Sequence, residues 1–215
     1  MTGRIAAQLC VIAFAALPAT AALASDGEGM RAFGKGDFAA SAIAFASECE
    51  QGVVKSCSYL GLQHELGKGV PPDAGRAAQL YERACAGGDA MACAGLGTLL
   101  EEGRGLAPDI ERAAVLYQKG CDGGFAAGCA ALGLLYGKGQ GVPEDWTRAA
   151  ALFQRACDGG IASSCVNAAV AYENGWGVPK SRAKALAAYR RAVKLDPDST
   201  AAATARAGIE DLGGE

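Results

Sequence analysis

A single histidine, His64, stands among 215 residues, too few for catalytic zinc sites built on two or three histidines. Charge of either sign is also close to balanced, with 20 Lys and Arg against 23 Asp and Glu. No cluster of basic residues is suited to neutralising phosphates, which argues against nucleic acid as a partner. The apolar run from Ile5 to Leu17 falls short of the ~18–20 residues that a membrane span needs. Strict alternation of apolar and polar residues is missing, so half-buried strands are not expected. Gly137-Lys138 lacks the upstream glycine and the following Ser or Thr of a phosphate-cradling loop, and no cofactor is implied.

What the chain has is repetition. Cys49/Cys57, Cys85/Cys93, Cys121/Cys129 and Cys157/Cys165 recur every 36 residues, each pair spaced C-x7-C. The glycine pairs Gly67/Gly69, Gly103/Gly105, Gly139/Gly141 and Gly175/Gly177 keep the same register. A period between ~20 and 50 residues marks a solenoid, in which neighbouring units stack because none can bury its apolar face alone. Function is therefore sought on a surface rather than in a pocket.

Each unit is expected to hold two short helices, Cys93 to Glu102 standing for the first and Ile110 to Cys121 for the second. Leu116, Tyr117 and Gly120 lie three to four apart in a stretch rich in Ala, Leu, Glu and Arg, the helical period and composition. Asp73, Asp109, Asp145 and Ser181 sit where a side-chain oxygen caps the second helix, with Pro71, Pro108, Pro143 and Pro179 just before. Arg83, Lys119, Arg155 and Arg191 near its end favour the negative pole of the helix dipole. Gly87-Gly88, Gly123-Gly124 and Gly159-Gly160 permit a positive-φ turn into the next unit. The basic residues Arg76, Arg112, Arg148 and Lys184, three after each cap, oppose the dipole; pairing with the capping Asp or packing of their stems accounts for them.

Two cysteines eight apart in one continuous helix would be about 12 Å apart, too far for a disulfide, so the glycine turn must fold them together. One ends a second helix and the other opens the next first helix. Each bridge closes a loop of roughly nine residues and should stabilise by about 2–3 kcal/mol. Metal binding is the rival reading, but the usual zinc spacing is shorter and often includes histidine. The ninth cysteine, Cys10, falls in a stretch with Arg4, the apolar run and Ala22-Leu23-Ala24, which reads as a secretory signal peptide cleaved after Ala24. A lipoprotein anchor at Cys10 is the alternative, for which Gln8 and Leu9 are poor neighbours. Export places the other eight cysteines in an oxidising compartment.

Leu96-Gly97, Glu102-Gly103-Arg104-Gly105-Leu106, Asp109, Arg112-Ala113-Ala114, Leu116-Tyr117 and Cys121-Asp122-Gly123-Gly124 with Cys129 resemble the Sel-1-like repeat family, in its secreted cysteine-rich branch of the Helicobacter type. The resemblance spans about Gly36 to Val193. It implies an all-α superhelical solenoid related to tetratricopeptide repeats and used to bind proteins or organise complexes. The expected division is a signal peptide over 1–24, a partial repeat over 25–48, four repeats over 49–192, and a capping helix and tail over 193–215. Val193 stands where a further cysteine would fall.

Stacking forces similarity where helices touch, so positions that vary between copies mark a free face. Cys57, Leu60, Gly61 and His64, with their equivalents in later copies, form a core stripe in which glycine permits close approach. His64 corresponds to Leu100, Tyr136 and Tyr172 and is read as structural, lacking an identifiable catalytic partner. The neighbouring stripe mixes polar and apolar residues without pattern, and Tyr59, Gln63, Glu102, Lys138 and Asn167 on it are the candidate partner-binding residues of a concave groove. Trp146 and Trp176 flank inter-helix loops; Trp176 is expected to pack on the next unit, with an interaction anchor as the alternative.

The cysteine-rich branch has been associated with penicillin binding and β-lactam hydrolysis. A serine acyl-enzyme needs Ser-x-x-Lys with supporting Ser-Asp-Asn and Lys-Thr-Gly elements. The one Ser-x-x-Lys match, Ser181-Arg182-Ala183-Lys184, sits at the capping position held elsewhere by Asp and Arg, and neither supporting element occurs. The sequence thus points to an exported, non-enzymatic repeat scaffold, periplasmic or secreted, that binds a protein or peptide.

Overall fold

The computed structural model describes residues 27–213; the leader expected over 1–24 lies outside them. The described residues form eleven helices and no strand. A short α1 (Glu28–Gly34) and α2 (Phe38–Glu50) open the array. Four helical pairs follow: α3 (Val54–Leu66) with α4 (Ala74–Ala86), α5 (Ala90–Glu102) with α6 (Ile110–Asp122), α7 (Ala126–Lys138) with α8 (Trp146–Asp158), and α9 (Ala162–Asn174) with α10 (Arg182–Leu195). α11 (Thr200–Asp211) closes the stack. Each helix packs on the next, and the first helices also touch across repeats, α3 on α5 and α5 on α7. None of the described helices is long and apolar enough to cross a membrane.

The helix limits follow from single residues. Asp73, Asp109 and Asp145 each accept a hydrogen bond from the backbone N–H three residues on, at Arg76, Arg112 and Arg148, over 2.9–3.0 Å, and the Ser181 hydroxyl accepts from Lys184 N–H. These bonds satisfy donors that the first helical turn leaves orphaned. First helices begin three residues before their cysteine, earlier than the spacing suggests; Asp89 caps α5 by accepting from Ala92 N–H, whereas α3, α7 and α9 start in the same register after Val53, Phe125 and Ile161 without a side-chain cap. The turn between α4 and α5 is therefore only Gly87, Gly88 and Asp89, and the second glycine takes the positive φ, +89° at Gly88.

That short turn brings the cysteines together. Cys49–Cys57, Cys85–Cys93, Cys121–Cys129 and Cys157–Cys165 are bridged, with Cα atoms 4.5–4.8 Å apart. Each bridge joins a second helix to the following first helix, stapling one repeat to the next.

Inside a repeat, an aromatic ring of the second helix lies on a glycine of the first. A Cβ on Gly61, Gly97 or Gly133 would come within 2.8–2.9 Å of Tyr81, Tyr117 or Phe153, and Ala169 takes the corresponding place beside Tyr189 in the fourth pair. Fully burying such a ring contributes about 1.5–3 kcal/mol. Between repeats, a loop glycine of one presses on the second helix of the one before: a Cβ on Gly105 would sit 2.4 Å from the Ala74 carbonyl carbon.

Candidate functional site

Two of the cationic residues near the ends of second helices, Arg155 and Arg191, reach backward rather than only serving their own helix. Arg155 donates to the Cys121 carbonyl at 3.0 Å and pairs with Asp122, while Arg191 donates to the Asp158 carbonyl at 3.1 Å and pairs with Asp158. Both supply donors to the C-terminal end of the preceding second helix, where carbonyls lack intrahelical partners. At the other end, Arg112 and Arg148 pair with their capping Asp109 and Asp145. Arg148 also donates to the Tyr136 hydroxyl and covers that ring, as Lys184 covers Tyr172. The hydrogen bond to Tyr136 is the main influence raising the affinity of Arg148 for its proton.

A polar network ties first to second helices on the opposite side. The Tyr81 hydroxyl donates to Glu65 at 2.8 Å, Tyr117 to Glu101 at 2.6 Å and Tyr189 to Glu173 at 2.9 Å. Burial, reinforced by the neighbouring carboxylate, raises all three tyrosine pKa values. Arg104, from the loop of the next repeat, bridges Glu65 and Glu102 at 3.1 and 3.0 Å.

Of the five partner-binding candidates, Glu102 and Lys138 are exposed, Tyr59 and Asn167 are half-buried, and Gln63 is only 1% exposed. Gln63 does not share their surface. Its amide donates to the Phe38 carbonyl at 2.9 Å and the Ser41 hydroxyl at 2.7 Å, fastening α3 to α2. Leu99, Leu135 and Ala171 at the equivalent positions are buried as well, so this step of the stripe is buried in every copy. Tyr59 stacks on Phe45 with ring centroids 5.4 Å apart and leans on Phe33. Glu102 is engaged by Arg104.

Lys138 and Asn167 are brought to one place. With Leu134, Gly137, Trp146, Phe153, Val170 and Trp176 they line an open cleft of about 170 Å³ between α7 and α9. Trp176 is 44% exposed and lies 4.8 Å from Trp146, centroid to centroid. It packs back on the preceding repeat instead of forward on the next, because Gly177 beside it is pressed against the Trp146 backbone. His64 is half-buried in a shallow pocket bounded by Ile43, Val70 and Arg76, its Nδ1 without a hydrogen-bond partner. Ser181, the one serine in a Ser-x-x-Lys arrangement, uses its hydroxyl as a helix cap. Among the described residues no group of His, Cys, Asp and Glu could hold a metal ion.

The Sel1 repeat family matches residues 54–89, 90–125, 126–161 and 162–197, one helical pair to each segment. The fold is similar to that of the Sel1 repeat protein from Oxalobacter formigenes, 23% identical, with a TM-score of 0.70 over 77% of this chain and 68% of that one. It is also similar to a protective antigen of uropathogenic Escherichia coli displaying an SLR fold, 28% identical, with a TM-score of 0.70. That match covers 77% of this chain but only 36% of the antigen. Helicobacter pylori cysteine rich protein B aligns over 60% of this chain and 91% of its own at 23% identity and a TM-score of 0.47. No curated protein matches the chain.

Proposed function

We propose, from the premise that this chain belongs to the Sel1 repeat family, that it is an exported scaffold recognising a protein or peptide through the inner side of its solenoid. Sel1 repeat proteins are in general non-enzymatic scaffolds for protein–protein interaction, and stacked repeats characteristically bind along their concave surface. The contacts of α3 with α5 and of α5 with α7 across repeats support taking the first helices as the tighter, inner side of the stack. Export is supported by four disulfides, which persist in oxidising compartments, and by the leader-like character of residues 1–24.

The observation that carries this reading is the contrast between constant and variable positions. The second-helix aromatic stays Tyr81, Tyr117, Phe153, Tyr189, whereas the last residue of successive first helices runs Leu66, Glu102, Lys138, Asn174. All four of these last residues are exposed or half-buried, and such variation in charge and size suits recognition more than stacking. Tyr59, Glu102, Lys138 and Asn167 are the proposed recognition residues, while Gln63 ties the helices beneath them.

The test is affinity capture from an envelope extract with the oxidised chain and with a variant carrying alanine at those four positions. A partner retained by the wild type and lost by the folded variant is the expected result. Equal capture by both would overturn the placement. An N-terminus at Ser25 in chain recovered from the envelope checks export, and an unprocessed chain in the cytoplasm would refute it.

A further inference from the structure

The third helical pair departs from the others in a coordinated way. In the first pair, Glu65, Tyr81 and Arg104 form a hydrogen-bonded and ion-paired cluster, with N–O and O–O distances of 3.1 and 2.8 Å. Two repeats later the same three positions are Gly137, Phe153 and Trp176. The carboxylate, the hydroxyl that donated to it and the guanidinium that neutralised it have all gone together. The arginine position itself varies, being Gln140 and Leu212 in the second and fourth pairs, where Tyr117 and Tyr189 still donate to Glu101 and Glu173. The joint loss of glutamate and hydroxyl is what is particular to the third pair, since losing one alone would leave the other, half-buried, without its partner, at a cost of about 1–3 kcal/mol. What replaces the cluster is an open apolar cleft. Trp146 moves beside the vacated position, its ring 3.4 Å from where a Cβ on Gly137 would stand.

From this cleft, and from the proposed reading of the inner side as a partner surface, we infer that the space between α7 and α9 receives one aromatic or branched aliphatic side chain of an extended protein segment, with an acidic side chain of that segment against Lys138. Its volume of about 170 Å³ is close to the ~150 Å³ cavity that accommodates a benzene ring. Leu134 and Trp176, 43% and 44% exposed, leave large apolar surface at its mouth. Charge decides the flanking group. The first-helix ends of the other repeats carry Glu65, Glu101 with Glu102, and Glu173, whereas no acidic residue lines this cleft and Lys138 and Asn167 supply its polar edge. It is the cationic step on an otherwise acidic row.

The chain contains two tryptophans, and both line the cleft, so selectively excited tryptophan fluorescence of the whole oxidised protein reports on this site alone. The probes are end-blocked heptapeptides with a central Phe between two Glu, the same with Lys for Glu, and the first with Ala for Phe. The Glu-flanked Phe peptide should give a saturable change. Replacing Phe by Ala should weaken it about 10- to 100-fold, the equivalent of losing one buried aromatic side chain. Lys flanks should weaken it about 2- to 5-fold at low salt, less at high salt, as for an exposed ion pair. Lys138→Glu should reverse the preference between flanks. Gly137→Glu, which keeps both reporters and whose Cβ would meet Trp146 at ordinary van der Waals distance, should abolish the response while the variant remains helical.

Indifference to the central residue, a preference for Lys flanks, or a fluorescence change with protein concentration alone, which would make a second copy the occupant, overturns the inference. If no peptide perturbs the tryptophans yet capture still depends on the proposed stripe, the cleft assignment fails and the scaffold reading stands. If capture ignores the stripe while the peptides behave as expected, the reverse holds.

Discussion

A tyrosine hydroxyl taken out of water needs an acceptor, and Glu65, Glu101 and Glu173 provide one for Tyr81, Tyr117 and Tyr189. Burial first and the adjacent carboxylate second hold all three protons more tightly than the ordinary tyrosine pKa of about 10. In the unfolded chain these phenols ionise near their ordinary value, so above about pH 10 the folded state binds more protons than the unfolded one. Their contribution to stability is intact below that pH and declines as pH rises toward the folded values. Urea unfolding at successive alkaline pH values should therefore show falling stability, with a shallower fall in Tyr117→Phe. An unchanged slope would show that Tyr117 ionises normally. At neutral pH Tyr81→Phe should cost about 1 kcal/mol, one net hydrogen bond, since it leaves Glu65 with Arg104 as its remaining partner. Phe153 shows how the fold accepts the missing hydroxyl, by dispensing with the glutamate as well. Neither the pairs nor their loss is legible in sequence until the helices are packed, because partners stand 16 and 39 residues apart.

At the scale of the helix and its turns, most of the architecture is legible because the second-helix starts and the turns each depend on one residue type with one physical reason. Asp or Ser accepts from the third N–H at the start of every second helix, and glycine stands where φ turns positive; both recur in register, whereas α3, α7 and α9 start without a side-chain cap. The bridges follow from the same turn. Gln63 shows the limit: variation between copies suggested a free surface, but its amide nitrogen donates to the Phe38 carbonyl and the Ser41 hydroxyl, contacts that no local periodicity reveals. The loop glycines allow a sharper test than the helix glycines. Gly105 has φ +71°, and a Cβ there would meet the Ala74 and Gly75 backbone at 2.4–2.6 Å. Backbone cannot yield as a side chain can, so Gly105→Ala should destabilise by more than the ~1 kcal/mol cost of the left-handed conformation alone. Gly88, also at positive φ but with nothing within 4 Å, is the control, and Gly88→Ala should cost only that backbone term. Equal losses in thermal unfolding would mean that the loop does not press on the preceding repeat.

For the whole molecule, a fixed period makes the structure divisible, since each repeat contacts chiefly its neighbours and stability approximates a sum over units and interfaces. Deleting residues 90–125, one matched unit, joins Asp89 to Ala126 and places Cys129 eight positions after Cys85, the separation of every native bridge. The shortened chain, begun at Ser25, should fold with three disulfides and a mass about 6 Da below its all-thiol value, two hydrogens for each bridge. The splice is not free of strain: Ala131 takes the place of Gly95, where a Cβ would stand 2.9 Å from the Tyr81 ring, and Glu65 loses Arg104. Stability should fall, while the fraction of residues in helix remains near that of the parent. The cleft of α7, α8 and α9 lies beyond the splice, so its tryptophan fluorescence should be unchanged. Loss of helix, or scrambled bridges, would show that the repeats fold only as the full set, whereas a helical chain with a Cys85–Cys129 bridge would establish that each 36-residue unit is interchangeable in the stack and that the third pair carries its distinctive surface within itself and its successor.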